Sequence, residues 1–229
     1  MKIVISSGHS KDVPGARGII EEVAEARRVV TRVAALLRQN GVESVEFHDD
    51  ISRTQSDNLN AITGFHNAQT RDLDVSVHFN AYSKTDAPCG VEVLFVSQDE
   101  LAKKVSLAIS NVSGLKNRGA KKREDLAFLN RTKKPAILIE VCFVDSTADV
   151  NIYRAKFEEI CIAIASSIAG KTITAQPQPQ PEPSAEEYYN YLRGIGVEIK
   201  EKRFDDPITR GELFALLARY DRATRRSSN

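Results

Sequence analysis

The chain has 229 residues, 41% of them apolar and 28% charged, with a formal net charge of +1. That is the composition of a globular protein long enough for one medium domain and a small appendage, and it offers no global field to attract nucleic acid. The apolar run at Met1–Ile5 is too short for a signal-peptide core and no stretch could span a bilayer, so the expectation is synthesis in the cytoplasm without a leader.

Along the chain, short β-branched runs alternate with longer helical patterns. Lys2–Ser6, Ser44–His48, Asp74–Phe79, Gly90–Val96 and Ala136–Phe143 read as strands, and 21–40, 57–70, 98–112 and 147–169 as helices. This order predicts an α/β fold, a twisted, mostly parallel or mixed sheet flanked by helices on both faces. The continuous apolar run Ala136-Ile137-Leu138-Ile139 suits a strand buried on both sides. Cys142 and Cys161 sit in apolar runs and read as buried, reduced thiols; with Cys89 the three show no metal-binding spacing.

A break follows Gly170. Residues 176–183 place proline at every second position, which neither a ladder nor a helix tolerates, so 171–184 reads as an extended linker. Beyond it, 185–194 and 208–220 look helical. Thr209 and Glu212 have capping-box spacing, and Arg222, Arg225 and Arg226 read as a solvated tail. A module as small as 185–229 seldom buries enough surface alone, so it is expected to dock on the larger domain or pair with a second copy.

Three chemistry-bearing residues fall at strand ends: His9 after the first, His78 at the end of the third, and Glu140 inside the last apolar run. In an open α/β sheet such positions converge at the carboxyl edge, and His, His and Glu together suggest a metal site. By alternation, Ser76, His78 and Asn80 share one strand face and Val75, Val77 and Phe79 the other. A single histidine of this kind is commonly a hydrogen-bonded core residue; a second one with a carboxylate changes the reading.

On the first helix, Glu21, Glu22 and Glu25 compete for that role. At 100° per residue Glu22 lines up with Ala26, Val29, Val33 and Leu37, the centre of the apolar stripe, while Glu21 and Glu25 align with Arg28 and Arg32 on a solvated one. A buried Glu22 needs a cation, either a metal or, less favoured, an arginine. Glu140 among apolar neighbours reads equally as a raised-pKa general base or as a structural carboxylate bound to backbone amides. His48 and His66 read as surface or half-buried residues rather than ligands.

The ordered blocks Ser7-Gly8-His9, Glu22, Ser76-Val77-His78-Phe79-Asn80-Ala81, Asn117-Arg118-Gly119 and Pro135–Phe143 together resemble the zinc N-acetylmuramoyl-L-alanine amidases of autolysins, sporulation enzymes and phage endolysins, over roughly residues 1–170. Ser10 stands where that family usually has glycine. The resemblance implies one Zn²⁺ held by His9, Glu22 and His78, with Glu140 as catalytic base and Asn80 and Arg118 as weaker candidates for holding substrate or supporting groups. The implied substrate is peptidoglycan, cut between N-acetylmuramic acid and L-alanine. The segment Asp206–Arg219 is similar to part of a surface-layer-homology motif, which implies a cell-wall polymer as partner of the C-terminal module. Together they suggest an endolysin of a Gram-positive host that waits in the cytoplasm for a holin pore. Two rivals are carried: a zinc carboxypeptidase or aminopeptidase, and a non-catalytic wall-binding protein.

Overall fold

The computed structural model describes residues 1–175, 185–199 and 210–226. It divides into two compact units, Met1–Gln176 and Pro177–Asn229. The proline-rich stretch 176–183, Thr209 of the expected capping box and the first part of the Asp206–Arg219 segment lie outside the described residues.

The larger unit is a six-stranded sheet in the order β2-β1-β3-β6-β4-β5. Its strands are β1 (Lys2–Ser7), β2 (Glu43–Phe47), β3 (Leu73–Asn80), β4 (Val91–Phe95), β5 (Asn117–Lys122) and β6 (Ala136–Phe143). The four strands β2, β1, β3 and β6 are parallel; β4 runs antiparallel to β6, and β5 follows β4 in parallel. The sheet is therefore mixed. The reversal brings the amino-terminal ends of β4 and β5 to the same edge as the carboxyl ends of β1, β3 and β6.

The helices of this unit are α1 (Glu22–Gln39), α2 (Gln55–Ala68), α3 (Asp99–Ser113), α4 (Ala127–Arg131), α5 (Thr147–Ala155) and α6 (Phe157–Ala169). Strand alternation splits the core. Ile3, Ile5, Val75, Val77, Ile137 and Ile139 join the larger cluster under α1, α3 and α6. Leu94, Ala136 and Leu138 point the other way, against Ile62 of α2 and Phe128 and Leu129 of α4. In α1 the stripe Ala26, Val29, Val33 and Leu37 is buried as its phase requires, each fully buried valine or leucine contributing about 1.5–3 kcal/mol. Thr54 caps α2 by accepting from the Asp57 amide at 3.2 Å, and Ser146 caps α5 by accepting from Asp149.

The structure differs from the sequence reading at several places in this unit. The expected helix 147–169 is two helices, broken at Lys156. The strand β5 and the short α4 were not expected: β5 reads Asn-Arg-Gly-Ala-Lys-Lys, with none of the apolar alternation that signals a half-buried strand, because it is the sheet edge. Arg32, expected on a solvated stripe, reaches α6 and donates from Nε to Glu158 at 2.8 Å.

In the smaller unit, α7 (Ala185–Gly194) and α8 (Arg210–Arg226) are helical, and Arg219 Nη1 of α8 donates to the Glu198 carbonyl at 2.7 Å. The helix α8 continues through Arg222, Arg225 and Arg226, which the sequence reading assigned to a tail. Leu213, Phe214, Leu217 and Tyr220 on α8 are exposed. No described helix is long and apolar enough to cross a membrane.

Candidate active site

The site forms where β1, β3 and β6 end and α1 begins. Glu22, the first residue of α1, is 3% exposed. Its Oε1 lies 2.9 Å from His78 Nδ1 and 3.3 Å from His9 Nε2, and also accepts the Phe79 amide at 3.1 Å. Its Oε2 accepts the Ala16 amide at 2.6 Å. Burial alone would raise this carboxyl, but the hydrogen bonds and positive character of His78 and His9 outweigh it and hold it far below the usual carboxylate range. The two imidazoles meet edge to face with centroids 5.0 Å apart. Gly8 makes this approach possible, since a Cβ there would lie 1.9 Å from the His78 ring.

Glu140 stands opposite His78 in the β3–β6 ladder and opposite Glu92 in the β4–β6 ladder. Register partners on adjacent strands project to the same side of a sheet, so all three side chains share one rung. The Glu140 Oε2 atom is buried without a hydrogen-bond partner. Burial, then the charges of Glu22 and Glu92, push its carboxyl up to about 8, against a smaller opposing pull from Arg123.

These features fit a divalent cation. One ligand atom from each of His9, Glu22 and His78 falls within 4.8 Å of the others. The Glu22 contacts at 2.9 and 3.3 Å fall slightly short of the roughly 3.4 Å separation that zinc bonds of about 2.0–2.2 Å require of tetrahedral donors, so a small outward shift of the His78 ring admits the ion. His9 Nδ1 is buried and unpartnered, and three carboxylates crowd one rung and its neighbour, a cluster that a cation relieves.

The N-acetylmuramoyl-L-alanine amidase family model (Amidase_3) matches residues 3–170. The chain belongs to this amidase family. It is 34% identical over 165 residues to an uncharacterised 38.4 kDa protein of Clostridium perfringens, a match covering 70% of this chain and 48% of that protein. The chain thus spans about half the length of the curated relatives it matches. Among solved structures, the catalytic domain of the CD27L endolysin targeting Clostridia difficile superposes with a TM-score of 0.67 at 26% identity, covering 76% of this chain and 99% of that one. The amidase AmiC2 of Nostoc punctiforme gives 0.62 at 26% identity, covering 74% and 96%.

Within this amidase fold, Ser10 has its own use. Its buried hydroxyl donates to the Ser52 carbonyl at 2.7 Å and accepts the Val13 amide at 3.0 Å, pinning the loop after His9. Asn80 and Arg118, the two weaker candidates, converge on one residue that the sequence reading missed. Glu92 Oε1 accepts from Asn80 Nδ2 at 3.0 Å and Oε2 from Arg118 Nε at 2.7 Å. A charged residue inside Val91-Glu92-Val93-Leu94 was the available signal. Glu92 sits at the start of its strand, and reaches the site only because β4 is reversed.

The other two histidines stand apart from this group. His48 is half-buried, as expected, with Ser7 and Thr31 hydroxyls at 3.0 and 3.2 Å. His66 is fully buried, against expectation: Nδ1 lies 2.8 Å from Asp74, which Arg71 also grips, and Nε2 lies 3.0 Å from the Ser6 hydroxyl. The helix α2 turns this polar residue toward the sheet, where Asp74 and Ser6 give it partners that a helical wheel alone does not reveal. Cys142 and Cys161 are buried free thiols, as read, and Cys89 is half-buried.

Proposed function

We propose that the protein hydrolyses the amide bond between N-acetylmuramic acid and L-alanine in peptidoglycan, with one zinc ion held by His9, Glu22 and His78. The observation carrying this reading is the meeting of two imidazoles and a buried carboxylate from three separate elements, with Glu140 opposite one of the histidines. Three protein donors are the pattern of a catalytic rather than a structural zinc.

A bound zinc supplies Lewis-acid polarisation of the lactyl carbonyl and lowers the pKa of water from ~15.7 towards ~7. The remaining work falls to the chain's own residues. Glu140 takes a proton from the attacking water and returns it to the departing L-alanine nitrogen. Its burial and the neighbouring carboxylates keep it basic enough to accept that proton near neutral pH. Glu22, fixed by the Ala16 and Phe79 amides, holds both imidazoles in orientation.

We further propose that the protein is an endolysin of a Gram-positive host, acting on the wall after its release. Its likeness to an endolysin catalytic domain supports this. The C-terminal unit then serves as a module for a wall polymer, pairing with a second copy through exposed apolar side chains of α8 and raising the enzyme's effective concentration at the wall.

The deciding experiment digests Gram-positive walls with the zinc-analysed protein, with and without chelator, and identifies the products. Freed L-alanine amino groups on unshortened stem peptides, lost with chelator and restored by zinc, are expected. Release of D-alanine would make the protein a carboxypeptidase instead.

A further inference from the structure

The rung that carries His78 and Glu140 continues outward to Glu92 and then meets an irregularity. Between β4 and β5 the register runs Val91 to Asn117 and then Glu92 to Gly119, so Arg118 is an extra residue in a β-bulge. Gly119 takes the backbone angle the bulge needs, φ +78°, which a side chain would resist, and its amide is held by Asn117 Oδ1 at 2.8 Å. The bulge turns Arg118 back towards β4. There Glu92, 9% exposed, fixes Nε, and the guanidinium carbon lies 5.1 Å from the centroid of the Phe143 ring. Among the described residues, the two terminal nitrogens of Arg118 make no hydrogen bond. Arg118 lines a pocket of about 350 Å³ together with Asn80, Ala81, Tyr82, Cys89 and Phe143.

We propose that this pocket is the subsite for the stem peptide beyond L-alanine, and that Arg118 selects a free carboxylate carried one or two residues past the scissile amide. The proposal rests on the amidase reading above. A guanidinium held at Nε keeps its outer edge, two parallel N–H groups, for a planar anion, and bidentate pairing with a carboxylate uses that edge. Glu92 beneath and Phe143 alongside restrict the side chain before ligand arrives, which lowers the ordering cost of binding. The reach agrees. The strand β5 lies two strand spacings, roughly 10 Å, from β6 and Glu140. Arg118 leans back over part of that distance, leaving a gap that one or two extended residues at about 3.5 Å each can cross. Glu92 is then a positioning residue, acting through Arg118 and Asn80.

The test uses two synthetic N-acetylmuramoyl peptides that differ only in a free carboxylate or a carboxamide on the residue after L-alanine. The zinc-loaded full chain is expected to favour the acid in kcat/KM by about tenfold or more. Arg118→Gln brings that ratio close to one, and Glu92→Gln lowers it. Arg118→Lys, a milder change that keeps the charge but loses the fork, retains only a few-fold preference. A wild-type ratio near one overturns the proposal, and so do variants that slow both substrates equally with the ratio intact, the signature of a merely structural pair. Failure of the wild type to cleave either substrate overturns the amidase reading itself.

Discussion

Glu140 on β6 faces His78 on β3 across a single ladder step, with one of its carboxylate oxygens buried and unpartnered. A structural carboxylate at a strand end would have spent both oxygens on backbone amides, and this one has not. Replacing it with alanine is therefore expected to leave zinc content and wall binding unchanged while hydrolysis falls by about 10²–10⁴-fold. Turbidity loss of wall suspensions and elemental analysis measure the two sides. Lysis that survives the change would remove Glu140 from the mechanism.

Glu22→Gln keeps the shape of the side chain but removes the charge shared by His9 and His78. Zinc affinity is expected to fall beyond the ~10–100-fold typical of losing a supporting partner. Thermal melting of metal-free protein titrated with zinc reads this out: the wild type gains stability with zinc and the variant gains little. Equal gains would take Glu22 out of the ligand set.

Acid should weaken the fold through His66. Burial, its largest influence, and Arg71 lower the imidazole from its ordinary value of 6.5, while Asp74 opposes them. The folded state thus favours the neutral ring, and the unfolded chain binds the extra proton. Stability from this group is complete above pH 6.5 and declines as the pH drops below it. Asp74 acts in the same direction at lower pH: burial would raise it, but His66 and Arg71 bring it below 3.8, so its contribution disappears only under strong acid. Melting temperatures at pH 7 and pH 5 should differ more for the wild type than for His66→Gln. Identical differences would show that this ring does not titrate on unfolding.

Asp149 is fully buried and accepts three backbone amides, from Cys89 at 3.0 Å, Gly90 at 2.7 Å and Phe143 at 3.1 Å. It ties the end of β6 to the start of β4. Asp149→Ala leaves those donors unpaired, and about 3 kcal/mol or more of stability should be lost in urea unfolding. A loss below about 1 kcal/mol would mean that water takes over the role.

The parts of the site visible in the sequence were those that follow simple periodicities. His9, His78 and Glu140 end or interrupt apolar runs, and Glu22 lies in phase with Ala26, Val29, Val33 and Leu37. What stayed hidden depended on strand direction and on tertiary partners. Nothing in Val91–Phe95 tells that β4 is reversed, so Glu92 could not be brought to the carboxyl edge. An edge strand of arginine, glycine and lysine resembles a loop, because only one of its sides has a neighbour to satisfy. His66 lacked any local sign that Asp74, Arg71 and Ser6 would enclose it.

The outermost strand also guards its neighbour. All five residues of β4, Val91–Phe95, are buried, contain no proline and carry a single charge. Removing β5 by a nick in the loop before it would bare that ladder edge as a template for self-association, while the lysines at 121 and 122 now discourage such pairing. Residues that aim a side chain at substrate thus double as protection against aggregation.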